Sequence, residues 1–255
     1  MSDRIEPTDG SVHAPHAPLG EYYGDGEQGR RRFVREVFDE TAGDYDRIER
    51  LMAWGTGPWY RHRALVRSGL AAGMDVLDVA VGTGLVARQA ARIVGNPRHV
   101  IGVDPSIGML RGASVPLPIV AVQATAERLP FAPSQFDFLS LGFALRHMSD
   151  LSVVLGEFHR VLKPGGIVCV LEVTRPQGRF ALWTLKTYMR VVIPLLARFV
   201  GRHRETPRLF KYFWDTIEAC VPPEAVMATM RHAGFTDVRR NVELGIFSEY
   251  TGRKP

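Results

Sequence analysis

The chain has 255 residues, 45% hydrophobic and 23% charged, the makeup of a globular domain long enough to bury one complete α/β core. Its formal net charge of +5 is spread along the chain, so no massed basic run of the kind that binds nucleic acid is present. Two cysteines, Cys169 and Cys220, are too few for a disulfide framework or a zinc cluster. They are expected as reduced, buried thiols in a cytoplasmic protein. The first residues show no basic-then-apolar leader pattern.

Residues 1–29 are rich in Gly, Pro, His and acids without apolar periodicity, and read as a disordered tail. His13 and His16 within it read as solvated side chains rather than metal ligands, and no metal site is expected elsewhere. Residues 30–72 read as a helical cap. Phe33, Val34, Val37 and Phe38 recur at helical spacing, Ala42-Gly43 interrupts the pattern, and Tyr45 to Met52 resumes it. Gly55, Gly57 and Pro58 rule out a continuous helix beyond that point. Trp54, Trp59 and Tyr60 beside the bend either cap a pocket or pack the helical piece onto a sheet.

From residue 74 apolar runs alternate with helical patterns. Strands are expected at 74–80, 99–104, 119–124, 136–142 and 167–173, with helices near 84–94, 106–112 and 150–162. Lys163-Pro164-Gly165-Gly166 is a turn feeding the last of these strands. Such alternation implies a doubly wound α/β domain with a parallel sheet and right-handed crossovers. Residues 180–218 carry an apolar helical face, Leu182 to Phe199, broken by Pro194 and lined opposite by Lys186, Arg190, Arg198, Arg202 and Arg204. They read as a helical lid insertion, too short and too charged to span a membrane but suited to packing on the domain or to peripheral membrane contact. A helix near 222–233 and two strands, 237–244 and 246–253, close the chain. The short gap between those strands makes them antiparallel neighbours.

The chemistry gathers at Val76-Leu77-Asp78-Val79-Ala80-Val81-Gly82-Thr83-Gly84 and at Asp104, which ends the next apolar run. Glycines after a first strand and a carboxylate after the second are the layout that holds a nucleoside, the carboxylate accepting from ribose hydroxyls. Gly82 to Ala87 also satisfies the dinucleotide pattern, so this stretch alone leaves the nucleoside open. Gln123 to Phe131, after the third strand, supplies polar backbone and apolar surface for an adenine ring.

These segments resemble the class I S-adenosylmethionine-dependent methyltransferases, and among them the ubiquinone/menaquinone biosynthesis C-methyltransferases. The resemblance runs from about Phe38 to Lys254. It rests on Tyr45-Asp46 with Trp59, the glycine turn, Asp104 with Met109-Leu110, Ala126 to Phe131 with Phe136-Asp137, Leu145-Arg146, Arg160 to Gly166 leading to Leu171-Glu172, and Ala233-Gly234-Phe235. It implies a Rossmann-like seven-stranded methyltransferase sheet with a reversed last strand. It also implies S-adenosyl-L-methionine as cofactor: Gly82, Thr83 and Gly84 at the methionine part, Asp104 at the ribose, Thr125 and Ala126 at the adenine. The expected cofactor set is completed by Asp78, Ala80, Pro105, Met109, Glu127 and Gly142. The chain departs from the family pattern at Val81, Leu85 and Gly142, where the family carries a glycine, an acid and a serine.

Methyl transfer to a hydroxylated aromatic ring is helped by a base that takes the phenolic proton. His147, after the fourth strand, is the first candidate, since its ordinary pKa lies near neutrality. Arg146 is a candidate for steadying a phenolate and Tyr45 for orienting the acceptor. Glu172 ends a strand, facing either the pocket or a structural partner. The expected acceptor is a small aromatic or quinol molecule, with a homodimer compatible with the sequence. A secondary-metabolite O- or N-methyltransferase would share every cofactor motif. A silent cofactor-binding relative is the alternative of a different class, and motif order and the closing hairpin disfavour a nicotinamide dehydrogenase.

Overall fold

Strands form where β-branched and aromatic residues run together, and those of the sheet centre are apolar throughout because helices cover both faces. In the computed structural model, which describes residues 14–16, 20–24, 26–114, 119–195 and 206–255, these are β1 (Val76–Val79), β2 (Val100–Asp104), β3 (Val120–Gln123), β4 (Phe136–Gly142) and β5 (Leu162–Val173). The hairpin strands β6 (Thr236–Glu243) and β7 (Phe247–Arg253) complete a seven-stranded sheet of order β3-β2-β1-β4-β5-β7-β6. β1 to β5 are mutually parallel, and β7 runs antiparallel to both β5 and β6. This is the expected architecture, with its reversed last strand. The chain leaves β1 towards β2 and β3, then returns to the other side of β1 as β4. That reversal opens a crevice at the strands' carboxyl ends, where open α/β sheets bind ligands.

Helices α3 (Gly57–Arg67) and α4 (Leu85–Val94) cover one face, with Ala64, Leu65, Ala87 and Ala90 against Val76, Val100 and Phe138. Helix α6 (Leu151–Val161) and the helix Pro223–His232 cover the other, with Val154, Phe158, Val226 and Met230 against Leu77, Leu139 and Leu141. Helix α5 (Ile107–Ser114) comes after β2. A third core joins the long helix α2 (Gly26–Met52) to the helices Arg179–Thr187 and Thr206–Ala219 through Phe33, Val37, Met189, Ile193, Tyr212 and Trp214.

Several expectations change. Within the expected disordered tail 1–29, Gly20–Tyr23 is a helical turn and α2 already begins at Gly26. His16 is buried rather than solvated, its Nε2 at 3.3 Å from the Tyr23 hydroxyl, while His13 lies outside the described residues. Ala42-Gly43 does not interrupt α2. A glycine costs a helix only about 1 kcal/mol, and Asp39 and Asp46 fasten the helix on either side of it. Neither Trp54 nor Trp59 packs on the sheet or lines the crevice, being 78% and 54% exposed; Tyr60 alone is buried, its ring centroid 4.7 Å from that of Phe247. The turn at 163–166 is a bulge within β5, since Leu162 pairs with Phe136 and Ile167 with Phe138. The apolar face expected to extend to Phe199 runs beyond the described residues.

Two family departures lie at tight contacts with their neighbours. Val81 stands where a glycine is usual, and its methyls occupy the space a Cβ at Gly102 of β2 would need, at 2.8 Å. At the end of β4 a Cβ on Gly142 would meet Val86 Cγ2 of α4 at 2.6 Å. Val86 therefore excludes the family's serine. Gly142→Ser is expected to lower stability by about 1–3 kcal/mol through overpacking. Adding Val86→Ala should recover part of that loss in denaturant titrations, whereas strict additivity of the two single effects would refute the clash.

Candidate active site

The crevice is floored by the segments at the strands' carboxyl ends. Ala80 and Gly82 come from the β1 turn; Asp104, Pro105, Ser106 and Met109 from β2 and α5; Ala124 to Glu127 from the β3 loop; Gly142, Phe143, Ala144, His147 and Met148 from the end of β4. Helix α2 roofs it with Arg30, Arg31, Val34, Arg35, Phe38 and Tyr45. Both Ala80 and Phe143 hold positive φ, 52° and 60°, a conformation that costs non-glycine residues energy and clusters at functional sites.

Asp104 ties the floor together. One carboxylate oxygen accepts from Gly82 N–H and the other from Ser106 N–H, each at 2.9 Å. Burial pushes its pKa up to about 6, partly offset by those two N–H donors. Each oxygen keeps a further lone-pair direction for a hydroxyl donor. The backbone of Gly82 turns at φ 55°, and nothing lies within 4 Å of where its Cβ would be, so a ligand can approach the chain itself.

Helix α2 is fastened to the same loops. Asp46 accepts from the Thr83 hydroxyl and pairs with Arg88 at 2.8 Å. Asp39 accepts from the Ser106 hydroxyl and from Gly108 N–H at 3.0 Å. The Tyr45-Asp46 pair of the sequence thus divides its work, Tyr45 at the cavity and Asp46 on the glycine turn.

Of the expected cofactor residues, Ala80, Gly82, Asp104, Pro105, Met109, Thr125, Ala126, Glu127 and Gly142 line the cavity, whereas Asp78, Thr83 and Gly84 do not. Asp78 lies buried beneath the turn, its carboxylate accepting from Ser140 Oγ at 2.6 Å, and burial pushes its pKa up to about 7. Thr83 faces Asp46, and the Cβ position of Gly84 faces Ala113 at 3.5 Å. Glu127 accepts from Ser149 N–H and hydroxyl; burial would raise its pKa, but these bonds hold it below the usual value.

Among the expected catalytic residues, Tyr45 and His147 line the cavity and Arg146 does not. A guanidinium buried behind β4 needs a counter-charge, and Arg146 finds it in the equally buried Glu172, while also donating to Phe143 O at 2.9 Å. Glu172 is therefore the structural partner, not a pocket residue. Burial pushes the Tyr45 phenol up and the His147 imidazole well below its ordinary value, the latter helped by the nearby Arg146 charge. His147 Nε2 has no hydrogen-bond partner among the described residues. Apart from Tyr45, the α2 roof went unassigned in the sequence, as did Ser106, two residues beyond Asp104. Ser106 was discoverable as a residue preceding a helix; the roof depends on a contact between distant segments.

With this geometry in hand, similarity to known proteins is informative. A family model described as the ubiE/COQ5 methyltransferase family matches residues 26–254. The ubiquinone/menaquinone biosynthesis C-methyltransferase UbiE of Coxiella burnetii is 31% identical over 229 residues, 87% of this chain and 90% of that one. The protein of the same name from Pseudomonas aeruginosa is 31% identical over 258 residues, 98% of this chain and 99% of that one. A Thermotoga maritima structure described as a SAM-dependent methyltransferase, possible histamine N-methyltransferase, shares the fold with a TM-score of 0.59 at 20% identity, over 87% of this chain and 100% of that one.

The residues present fit a nucleoside cofactor, since Asp104 retains acceptor capacity towards the cavity and Gly82 leaves the backbone open. Asp104→Ala is expected to weaken S-adenosylhomocysteine binding about 10²–10³-fold, the loss of charge-assisted hydrogen bonds worth about 1.5–3 kcal/mol each. Calorimetry showing unaltered affinity would remove Asp104 from the ribose site.

Proposed function

The chain belongs to the ubiE/COQ5 methyltransferase family and takes S-adenosylmethionine as methyl donor; we propose that its acceptor is a hydroxylated aromatic ring of the quinone-precursor class, methylated at carbon. The observation that carries this reading is a cavity walled by Val34, Phe38, Tyr45, Phe143 and Met148 and lined also by His147, whose buried Nε2 lacks any described partner. Apolar and aromatic walls suit a flat ring, and a neutral imidazole suits a phenolic proton.

When bound, S-adenosylmethionine supplies an electrophilic methyl group whose departure leaves a neutral thioether. The chain's own work is to orient the acceptor, exclude water and take a proton. His147 accepts the phenolic proton at Nε2, and the charge left on the ring oxygen is shared into the ring carbon that forms the new bond. Arg30, Arg31 and Arg35 in the α2 wall add positive potential that favours the phenolate. The ring carbon then loses its proton to solvent and the oxygen recovers one from His147, so the net release is one proton per methyl transferred.

In a methyl-transfer screen over demethylated quinols and simple phenols, a C-methylated quinol product is expected. His147→Ala should lower kcat about 10²–10⁴-fold with S-adenosylhomocysteine affinity intact. Because the His147 pKa is depressed, its basic form persists as pH falls through 6.5, and kcat should not drop there on its account. An O- or N-methylated product would overturn the acceptor chemistry, and unchanged kcat would remove His147.

Lipid-tailed acceptors would reach such a site from a membrane surface. Phe180 and Trp183 stack at 6.2 Å and stand 78% and 63% exposed, in line with exposed Val191 and Leu195 along the same helical face. Trp54 adjoins them through an indole hydrogen bond to Tyr188 at 3.1 Å, and Arg175, Arg179 and Arg190 are exposed nearby in the sequence. No described helix is long and apolar enough to cross a membrane, so this stripe is proposed as a peripheral contact. Sedimentation with vesicles containing phosphatidylglycerol should retain the protein and lose the Phe180→Ala/Trp183→Ala variant. Equal retention of both would refute the contact.

A further inference from the structure

His147 is held by groups that lie far from it in sequence. Its Nδ1 stands 2.9 Å from the Tyr212 hydroxyl, and the two rings stack with centroids 5.2 Å apart at 23°. Tyr212, in the helix Thr206–Ala219, is fully buried. Its hydroxyl also lies 3.3 Å from that of Tyr23, which in turn lies 3.3 Å from His16 Nε2. Arg30 donates to the His147 carbonyl, and the ring edge of Phe38 closes the remaining side at 5.5 Å between centroids. Two segments thus close directly on the imidazole of this cavity-lining residue, the helix that carries Tyr212 and α2 with Phe38, and its second nitrogen is buried with no hydrogen-bond partner among the described residues.

We propose that Tyr212 is a positioning residue for the reaction: its oxygen accepts the Nδ1–H of neutral His147 and so selects the tautomer whose Nε2 lone pair faces the acceptor's hydroxyl. This rests on the reading that an ionisable hydroxyl enters the cavity. A neutral imidazole carries one N–H, and if Nε2 held it, no lone pair would face the substrate. With Tyr212 accepting from Nδ1–H, its own O–H points to Tyr23, whose O–H points to His16. The chain is then satisfied in a single direction. The 2.9 Å bond is of ordinary length, whereas the 3.3 Å contact between the two hydroxyls exceeds the usual 2.5–3.0 Å range for such pairs, and the Tyr23–His16 contact is equally long. The His147–Tyr212 bond therefore sets the tautomer, and Tyr23 and His16 supply an outlet for the Tyr212 proton.

The proton step balances within these groups. The acceptor's O–H bond breaks, its proton joins Nε2, and the resulting imidazolium keeps its Nδ1–H bond to Tyr212. Burial, together with the nearby charges of Arg146 and Arg30, keeps the ring neutral before the substrate enters. Tyr212 belongs to the core that its helix shares with α2, so the seat of the ring depends on packing between segments distant in sequence.

Long-range nitrogen–proton NMR of the substrate-free protein, with His147 assigned by the signals lost in His147→Gln, reads the tautomer directly. The wild-type chain is expected to show the proton on Nδ1. Tyr212→Phe keeps the stacked ring and removes the hydroxyl, and should shift His147 towards the Nε2–H form. It should also lower kcat roughly 10-fold or more, within the range spanned by acid–base catalysis, with KM and S-adenosylhomocysteine affinity unchanged. Tyr23→Phe, which removes only the outlet, should give a smaller change of the same sign, and it serves if Tyr212→Phe does not fold. A proton on Nε2 in the wild-type spectrum, or a tautomer and kcat indifferent to both variants, would overturn the proposal. A tautomer that depends on Tyr212 in a protein that methylates no hydroxylated ring would refute the acceptor reading and leave the positioning intact.

Discussion

One carboxylate holds the active-site floor in place. Asp104 accepts from Gly82 on the β1 turn and from Ser106 on the β2 loop, each at 2.9 Å, so these two neighbouring strand ends cannot move independently. Helix α2 is fixed to the same pair of loops by Asp46 on Thr83 and Asp39 on Ser106. The cavity exists because a roof and a floor share these anchors. Hydrogen bonds to ionised carboxylates are worth roughly twice neutral ones, which suits them to the work of holding loops that carry no large apolar surface.

Behind that floor the site is electrically dry. Asp78 sits under the glycine turn with its pKa pushed up to about 7 by burial, and Arg146 and Glu172 neutralise one another beneath the end of β4. An ion pair so buried need not add stability over apolar packing, but removing either partner strands a charge. Arg146 also lies 5.2 Å from the centroid of Phe213, next to the helix face that carries Tyr212, so the pair supports the wall against which His147 stacks. Arg146, expected at the substrate, is instead part of the wall's support, and the residue beside it lines the cavity.

The family departures teach the same lesson about neighbours. Val81 in place of a glycine is admissible because β2 carries Gly102 opposite it, and Gly142 in place of a serine is required because Val86 fills the space. Taken singly, each weakens a motif. Taken as pairs, each fills a contact between a strand and the turn or helix beside it, where a close-packed interior has no room for an added atom.

Local chemistry made much of this protein legible from the sequence. Strand β4 begins and ends at the residues its apolar run indicated, 136 and 142, and the closing hairpin with its reversed strand is set by the short link between two strand patterns. The glycine turn and Asp104 reveal themselves because backbone freedom and a carboxylate after a strand are properties of a few adjacent residues. What the sequence could not disclose depends on segments that meet only in three dimensions. Helix α2 runs through Gly43 because Asp39 and Asp46 anchor it elsewhere, and His16 is buried because Tyr23 and Tyr212 are there to receive it. Tyr212 reaches His147 across 65 positions, and no local pattern records that contact. The sequence by itself determined the strand order's raw material and the carboxylate at the cavity floor, since those are set by periodicity and by short-range spacing. Tertiary structure alone decided which side chains face the cavity and which support it, because that choice is made by burial and by partners contributed from distant parts of the chain.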